Sequence, residues 1–267
     1  MAVALADSLL DLHDRVLDAA ERGKLERRLG EIYGPRLKSL GLDVRAGAYD
    51  SAPAEQRLLR PALLRIIALG ARDADVRAML RRSARASLSE PAALDNSFRH
   101  IAWAVAAQED PAFAEALIKH MAQSRDGLVR QHAAVALGLS GQTAVLALAL
   151  DPGTRTNETF AMLRGQFDSP VTRPEAWRWL RDNFDTLMHR LPGFNQPAAF
   201  QLPGEFCDAR QREEVEAFLN PRSQTLGIGA LELARSLERI DLCVAQKAGH
   251  ADDIRAALGN KASGVRR

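Results

Sequence analysis

Residues 172–191 read TRPEAWRWLRDNFDTLMHRL, and this stretch decides the fold class. Its apolar residues recur at intervals of three and four, which places them on one face of an α-helix. The members of this stripe are Trp177, Leu180, Phe184, Leu187, Met188 and Leu191. Thr172 and Glu175 have the spacing of a capping box, with Pro174 in the predicted first turn. Core packing accounts for the whole stripe, so the sequence predicts a helix here and no ligand site.

The same helical spacing runs along most of the chain. Apolar stripes occur at residues 3–17, 25–37, 59–70, 76–88 and 98–137, and the alternation typical of strands never persists. A single amphipathic helix cannot bury its own apolar face, so neighbouring helices must cover one another. We therefore predict an all-α fold, an α–α superhelix of HEAT-like or armadillo-like helical pairs, with the whole chain forming one helical-repeat domain.

Two local patterns refine this prediction. The triplet at 68–70, Ala-Leu-Gly, recurs at 136–138, and each glycine is predicted to end a helix in the left-handed conformation. Residues 191–207 break the helical rhythm with prolines, glycines and three phenylalanines, Phe194, Phe200 and Phe206. This composition predicts an extended crossing or surface loop between two helical layers. Asp208, three residues before Gln211, predicts the start of the next helix.

Composition narrows the possible functions. Apolar residues make up 46% of the chain and charged residues 26%, which is typical of a packed globular protein. The net charge of +2 is small for a nucleic-acid binder, and Arg77, Arg81 and Arg85, which share a helix face, fit a solvated face better than a phosphate site. No run of eighteen apolar residues exists, so we expect no membrane span. Cys207 and Cys243 can form at most one disulfide.

No set of residues with the pattern of an active site is present. The six histidines lie in separate segments and none precedes a glutamate, so the zinc-binding pattern HExxH is absent. The nucleophile pattern GxSxG and the phosphate-binding glycine loops are also absent. The sequence therefore predicts no catalytic residue, no metal ligand and no cofactor in this chain.

Five short motifs in order resemble one known domain. They are LGL at 40–42, QRLLRP at 56–61, RPEAWRWLRDNF at 173–184, GEFC at 204–207 and LERI at 237–240. Their succession resembles the C-terminal helical, ERAP-like domain of the zinc aminopeptidases that include aminopeptidase N, the puromycin-sensitive enzyme and the antigen-trimming enzymes of the endoplasmic reticulum. Each motif is short and partly structural, so the resemblance rests on their order and spacing.

The resemblance spans about residues 25–258 and implies a role without catalysis. In that family other domains carry the GxMEN and HExxH motifs and bind zinc, and this sequence has neither motif. The chain would be an excised C-terminal domain, with its first helices missing, that closes over the catalytic domain of the same polypeptide and lines the peptide chamber. Its partners would be that catalytic domain and a peptide substrate, with no nucleic acid. We expect a soluble protein and favour the cytoplasm.

The resemblance also suggests three substrate-binding residues. Arg155, Asn157 and Arg164 lie where family members carry an arginine and polar residues near the chamber. A guanidinium suits the C-terminal carboxylate of a peptide. The alternative is that these are solvent-facing side chains at a helix start.

Two other functions remain open from the sequence. A free-standing HEAT-type adaptor would bind another protein along its concave face. A helical-repeat nucleic-acid enzyme using the arginine face at 77–85 would bind duplex nucleic acid with a steep salt dependence, although the small net charge argues against it.

Overall fold

The computed structural model describes residues 2–259, with side chains from residue 6 onward. Met1 and residues 260–267 belong to the predicted domain but lie outside the described residues. Within the described range the regular structure is helical throughout, and helices that follow one another along the chain pack together. The all-α class and the superhelical arrangement predicted from the sequence are confirmed.

The α-helices are α1 (Ala2–Arg15), α2 (Ala19–Leu40), α3 (Ala54–Arg65), α4 (Ala74–Ser87), α5 (Asn96–Glu109), α6 (Pro111–Gln123), α7 (Gly127–Gly138), α8 (Thr156–Asp168), α9 (Arg173–Arg190), α10 (Ala209–Leu226) and α11 (Ala230–Gly259). A π-helical turn, Ile66–Gly70, extends α3. The 3₁₀ segments are Pro91–Ala93, Thr143–Leu150 and Gly193–Glu205.

Aspartates start many of these helices. An aspartate carboxylate accepts a hydrogen bond from a backbone N–H of the first turn in α2, α4, α5, α6, α7 and α10, which satisfies a donor that the helix itself cannot. The predicted start at Asp208 is confirmed. The capping box predicted at Thr172 is wrong, because its hydroxyl donates instead to the carbonyl of Gln166, 2.8 Å away.

The helices bury two clusters of apolar side chains. One is formed mainly by α1 to α7 and the other by residues from Leu146 to Ile240, including the whole stripe of α9. Helices α7 and α8 lie at the junction of the two clusters and pack tightly against each other. The stripe predicted from the sequence is therefore core, as expected.

Glycine is required where α7 crosses α8. A Cβ atom at Gly138 would lie 2.7 Å from the carbonyl oxygen of Ala161, and one at Gly165 would lie 2.8 Å from the Cα of Gly138. The prediction that Gly70 and Gly138 end helices in the left-handed conformation is wrong, because neither has a positive φ. These glycines allow close packing instead: at Gly70 the space for a Cβ is filled by Leu10.

Two buried arginines tie consecutive helices together. Arg77 and Arg130 each lie four residues after the aspartate that starts their helix. Arg77 donates to the carbonyl of Ala68 at 2.8 Å, and Arg130 donates to the carbonyl of Met121, also at 2.8 Å. Each arginine thus satisfies a carbonyl near the end of the preceding helical stretch.

The arginine face of α4 is paired with acids. Arg77 is only 4% exposed and contacts Glu109 at 2.7 Å, so the predicted solvated face is wrong for this residue. Arg81 shares Glu109, and Arg85 lies 2.6 Å from Asp110. The face is therefore occupied by contacts to α5 and α6 and offers little to a phosphate.

The segment predicted as a loop, residues 191–207, is largely 3₁₀-helical. Gly193–Glu205 forms successive 3₁₀ turns that pack on α11 and α8, so the extended loop is wrong. Phe200 and Phe206 are buried, as their need for an apolar surface suggested, whereas Phe194 is 86% exposed.

The two ends of the helical array meet. Arg15 of α1 donates to the carbonyls of Gly204, Phe206 and Arg239. A disulfide joins Cys207 to Cys243, fixing the segment before α10 to α11. Of the helices described, none has the length and apolar character needed to cross a bilayer.

Candidate functional site

The three residues predicted to bind substrate lie in α8 or directly before it. Arg155 immediately precedes α8, and its backbone N–H donates to the Glu158 carboxylate at 2.9 Å. Its guanidinium is half exposed and lies 3.8 Å from the same carboxylate. Arg155 therefore participates in the helix start, as the structural alternative anticipated.

Asn157 and Arg164 share one face of α8. Seven residues separate them, which is nearly two turns and about 10 Å along the axis. Asn157 is exposed and its amide donates to Gln131 of α7. Arg155 and Arg164 line separate cavities. The structure therefore divides the predicted residues between the two ends of the helix and does not gather them into one site.

Arg164 borders a cavity of 290 Å³ between α8, the segment Gly193–Glu205 and α11. The polar side chains around it are Arg164, Asp168, Gln201, Glu205 and Arg239. Arg239 is already paired with Glu205 at 2.7 Å. Arg164, by contrast, has no acidic partner among the residues that the structure describes. Its exposed guanidinium can thus take a carboxylate with charge-assisted hydrogen bonds.

The two acids of this cavity, Asp168 and Glu205, have raised pKa values. Burial raises the pKa of Asp168 to about 6, and the nearby charge of Glu205 adds to this, against the opposing effects of Arg173 and Arg239. Burial also raises the pKa of Glu205, although Arg239 and Arg15 oppose it. Both acids therefore take up a proton at a higher pH than exposed carboxyl groups do.

The described side chains do not form a metal site. From residue 6 to residue 259, no three or more His, Cys, Asp and Glu side chains are grouped to hold an ion. His100 and His132 lie with ring centroids 5.6 Å apart, and burial lowers the pKa of both. The resemblance implies zinc in the catalytic domain of the parent, and we assign it no step in this chain.

Sequence reasoning missed most of the cavity. Glu205 lies in the GEFC motif and Arg239 in the LERI motif, which carried the resemblance but were not considered as site residues. The structure shows that these two motifs meet through an ion pair, across 34 residues of chain. Asp168 and Gln201 stand in no recognisable pattern, so only the fold reveals their positions.

Comparison with known families gives one match. The model of the family described as "ERAP1-like C-terminal domain" matches residues 2–242. The search of curated proteins finds no match to the chain.

Proposed function

The chain belongs to the ERAP1-like C-terminal domain family, and from this premise we propose that it is the noncatalytic C-terminal domain of a zinc metallo-aminopeptidase. In this proposal it closes over the catalytic domain of the same polypeptide and lines the chamber that holds the peptide. The parent enzyme removes N-terminal amino acids, and zinc is bound by its catalytic domain alone.

The observation that carries the proposal is the family match over residues 2–242. The cavity at Arg164 supports the chamber role, since this guanidinium has no acidic partner in the described structure and can hold the C-terminal carboxylate of a peptide. Arg155 and Asn157 remain in the proposal as rim contacts, but their existing bonds to Glu158 and Gln131 favour Arg164 as the main contact.

The helical pairs fit a HEAT-like array. The pattern Asp-x-x-Val-Arg occurs at 73–77 and again at 126–130. In both copies the aspartate starts the helix and the arginine reaches a carbonyl nine residues earlier. A recurring pattern with recurring contacts is the signature expected of stacked repeats.

The native protein tests the proposal. An antibody raised against this chain would be used to isolate the protein from its source cells, followed by measurement of its mass and of its hydrolysis of a leucyl reporter with and without a chelator. A polypeptide much larger than this chain, with chelator-sensitive activity, is the expected result. A product of this chain's own size without activity would overturn it in favour of the free-standing adaptor.

The disulfide bears on the compartment. Structural disulfides persist mainly in oxidising compartments, and Cys207 and Cys243 are both more than nine-tenths buried. We therefore propose an oxidising compartment in place of the cytoplasm favoured from the sequence. Counting free thiols in protein that is isolated from its source cells and then denatured distinguishes the two compartments. No free thiol is expected from Cys207 and Cys243, whereas two free thiols would favour the cytoplasm.

A further inference from the structure

A second cavity, of 450 Å³, lies beside the one at Arg164 and shares Asp168 with it. Its walls come from α1 and α2 on one side and from the C-terminal ends of α5, α7 and α8 on the other. Its volume is in the range of small-molecule sites, and it is lined by both charged and apolar side chains.

Two arginines on this cavity lack acidic partners in the described part of the chain. Arg72 is exposed and makes no ion pair there, and its φ of +55° is unusual for a residue with a side chain. Arg22 of α2 uses only its Nε, which donates to the carbonyl of Leu17 at 3.1 Å. Its two terminal guanidinium nitrogens make no hydrogen bond with the residues that the structure describes. Two guanidiniums from different elements around one cavity suit a single carboxylate.

One acid on the same cavity is also unpaired. The Asp168 carboxylate makes no hydrogen bond or ion pair with the side chains and backbone that the structure describes, although its backbone carbonyl accepts from Arg173. Asp168 also ends α8, where the helix carries a partial negative charge. The two other acids on the cavity are Asp14 and Glu26, and both contact His13, at 2.6 and 3.1 Å. Asp168 is therefore the acid available to a cationic group.

The remaining wall is apolar. Leu69, Leu139, Pro170 and Val171 line the cavity, and Val171 is 77% exposed. This surface would be covered by an apolar side chain of a ligand.

We propose that this cavity binds the zwitterion of an apolar α-amino acid or short peptide, with its carboxylate on Arg22 and Arg72 and its ammonium at Asp168. The side chain packs on Leu69 and Val171. The assignment concerns binding by this chain alone, so it does not depend on the proposed aminopeptidase role.

Calorimetric titration of the full chain tests the site. The ligands are L-leucine, leucyl-leucine, L-leucinamide, which lacks the carboxylate, and N-acetyl-L-leucine, which lacks the ammonium. Saturable one-to-one binding of leucine or leucyl-leucine is expected, with a loss of about tenfold or more when either charge is removed, as for a lost charge-assisted hydrogen bond. Tighter leucyl-leucine identifies a short peptide as the ligand, and tighter leucine a free amino acid.

Three variants assign the charges. Arg72→Gly removes the guanidinium and accepts the positive φ without strain, and it should abolish the preference for leucine over leucinamide. Asp168→Asn should abolish the preference for leucine over N-acetyl-leucine. Arg27→Ala removes an exposed arginine of α2 that does not line the cavity, and it should change neither preference.

Thermal melting establishes that each variant is folded before titration. The proposal is overturned if neither leucine nor leucyl-leucine binds saturably to the wild-type chain. It is also overturned if the two neutralised ligands bind as well as leucine, or if folded Arg72→Gly and Asp168→Asn keep both preferences.

Discussion

The two ends of α8 carry acids in opposite situations. At the N-terminal end, Glu158 is fully buried, and Arg130 reaches both of its oxygens at 2.6 Å while the Arg155 N–H adds a third bond. At the C-terminal end, Asp168 has no side-chain partner in the described structure and touches two cavities.

This difference distinguishes an acid that stabilises the fold from an acid whose carboxylate is available to a ligand. A buried acid whose bonds are all satisfied fixes the packing of its neighbours, because any loss leaves an uncompensated charge. An acid held among other charges without a partner has a raised pKa and keeps its bonding capacity for a ligand. The N-terminal end of α8 should therefore respond to substitution through stability, and the C-terminal end through binding.

The largest effect on stability is expected from Arg130→Met. The change leaves Glu158 buried without its cation and frees the carbonyl of Met121, so the free energy of unfolding should fall by about 3–5 kcal/mol. Urea denaturation followed by circular dichroism measures it. The double variant Arg130→Met with Glu158→Met should recover much of the loss, and a single-variant loss below about 1 kcal/mol would contradict a structural role.

A smaller decrease in the free energy of unfolding is expected from Gly138→Ala, at the crossing of α7 and α8. The added methyl meets backbone atoms that cannot move without separating the helices, and overpacking of this kind costs about 1–3 kcal/mol. Gly34→Ala in α2 is the matched control, because its Cβ meets nothing within 4 Å. The control should gain up to about 1 kcal/mol from helix propensity. Equal changes for both would show that the crossing is not close.

The pH dependence of stability should have two arms, one from each end of α8. Burial alone would raise the pKa of Glu158, but the hydrogen bonds from Arg130 and Arg155 lower it overall, so its contribution is lost as the pH falls below about 4.3, the unfolded value. The pKa of Asp168 is raised to about 6, so its contribution is present at low pH and is lost as the pH rises through 6.

Melting temperatures between pH 3 and pH 8 test this, with a maximum expected at about pH 4, because the contribution of Asp168 begins to fall at about 3.9, its unfolded value. Asp168→Asn should flatten the upper arm, although Glu205, whose pKa is also raised, keeps part of it. Glu158→Gln should flatten the lower arm. An upper arm that is unchanged in Asp168→Asn would show that Asp168 does not titrate in this range.

The sequence predicts the helices well because their signal is local. The stripe from Trp177 to Leu191 repeats within one helix, and burial confirms it. The Asp-x-x-Val-Arg pattern at 73–77 and 126–130 was also readable, but a local reading treats the arginine as surface charge. Its acid partner lies 28 or 32 residues further along, so only packing identifies the pair.

The site was less predictable for the same reason. Arg164 was predicted through the resemblance and stays a prediction, whereas the residues that share its cavity come from α8, the segment Gly193–Glu205 and α11. Gly138 was recognised as special for the wrong reason, since a repeated glycine predicts a turn as readily as a close crossing. The 3₁₀ turns of residues 193–205 resemble a loop in composition, because prolines and glycines are common in both kinds of structure.

The smallest effect on stability and the most specific effect on function are expected from Arg164→Ala. Its exposed side chain has no acidic partner in the described structure and its guanidinium lies 5.9 Å from the centre of the Phe160 ring, so the free energy of unfolding should change by about 1 kcal/mol or less. Arg155→Ala, at a rim contact of the proposed site, is the comparison at the other end of the same helix.

The most direct test uses both variants in the parent aminopeptidase. The measurement is the ratio of kcat/KM for a peptide with a free C-terminal carboxylate to that for the same peptide amidated. We expect Arg164→Ala to reduce this ratio by about tenfold, the loss of one charge-assisted contact, and Arg155→Ala, at a rim contact, to reduce it much less. An unchanged ratio in Arg164→Ala, or a collapse in Arg155→Ala alone, would contradict the assignment of binding to the C-terminal end of α8.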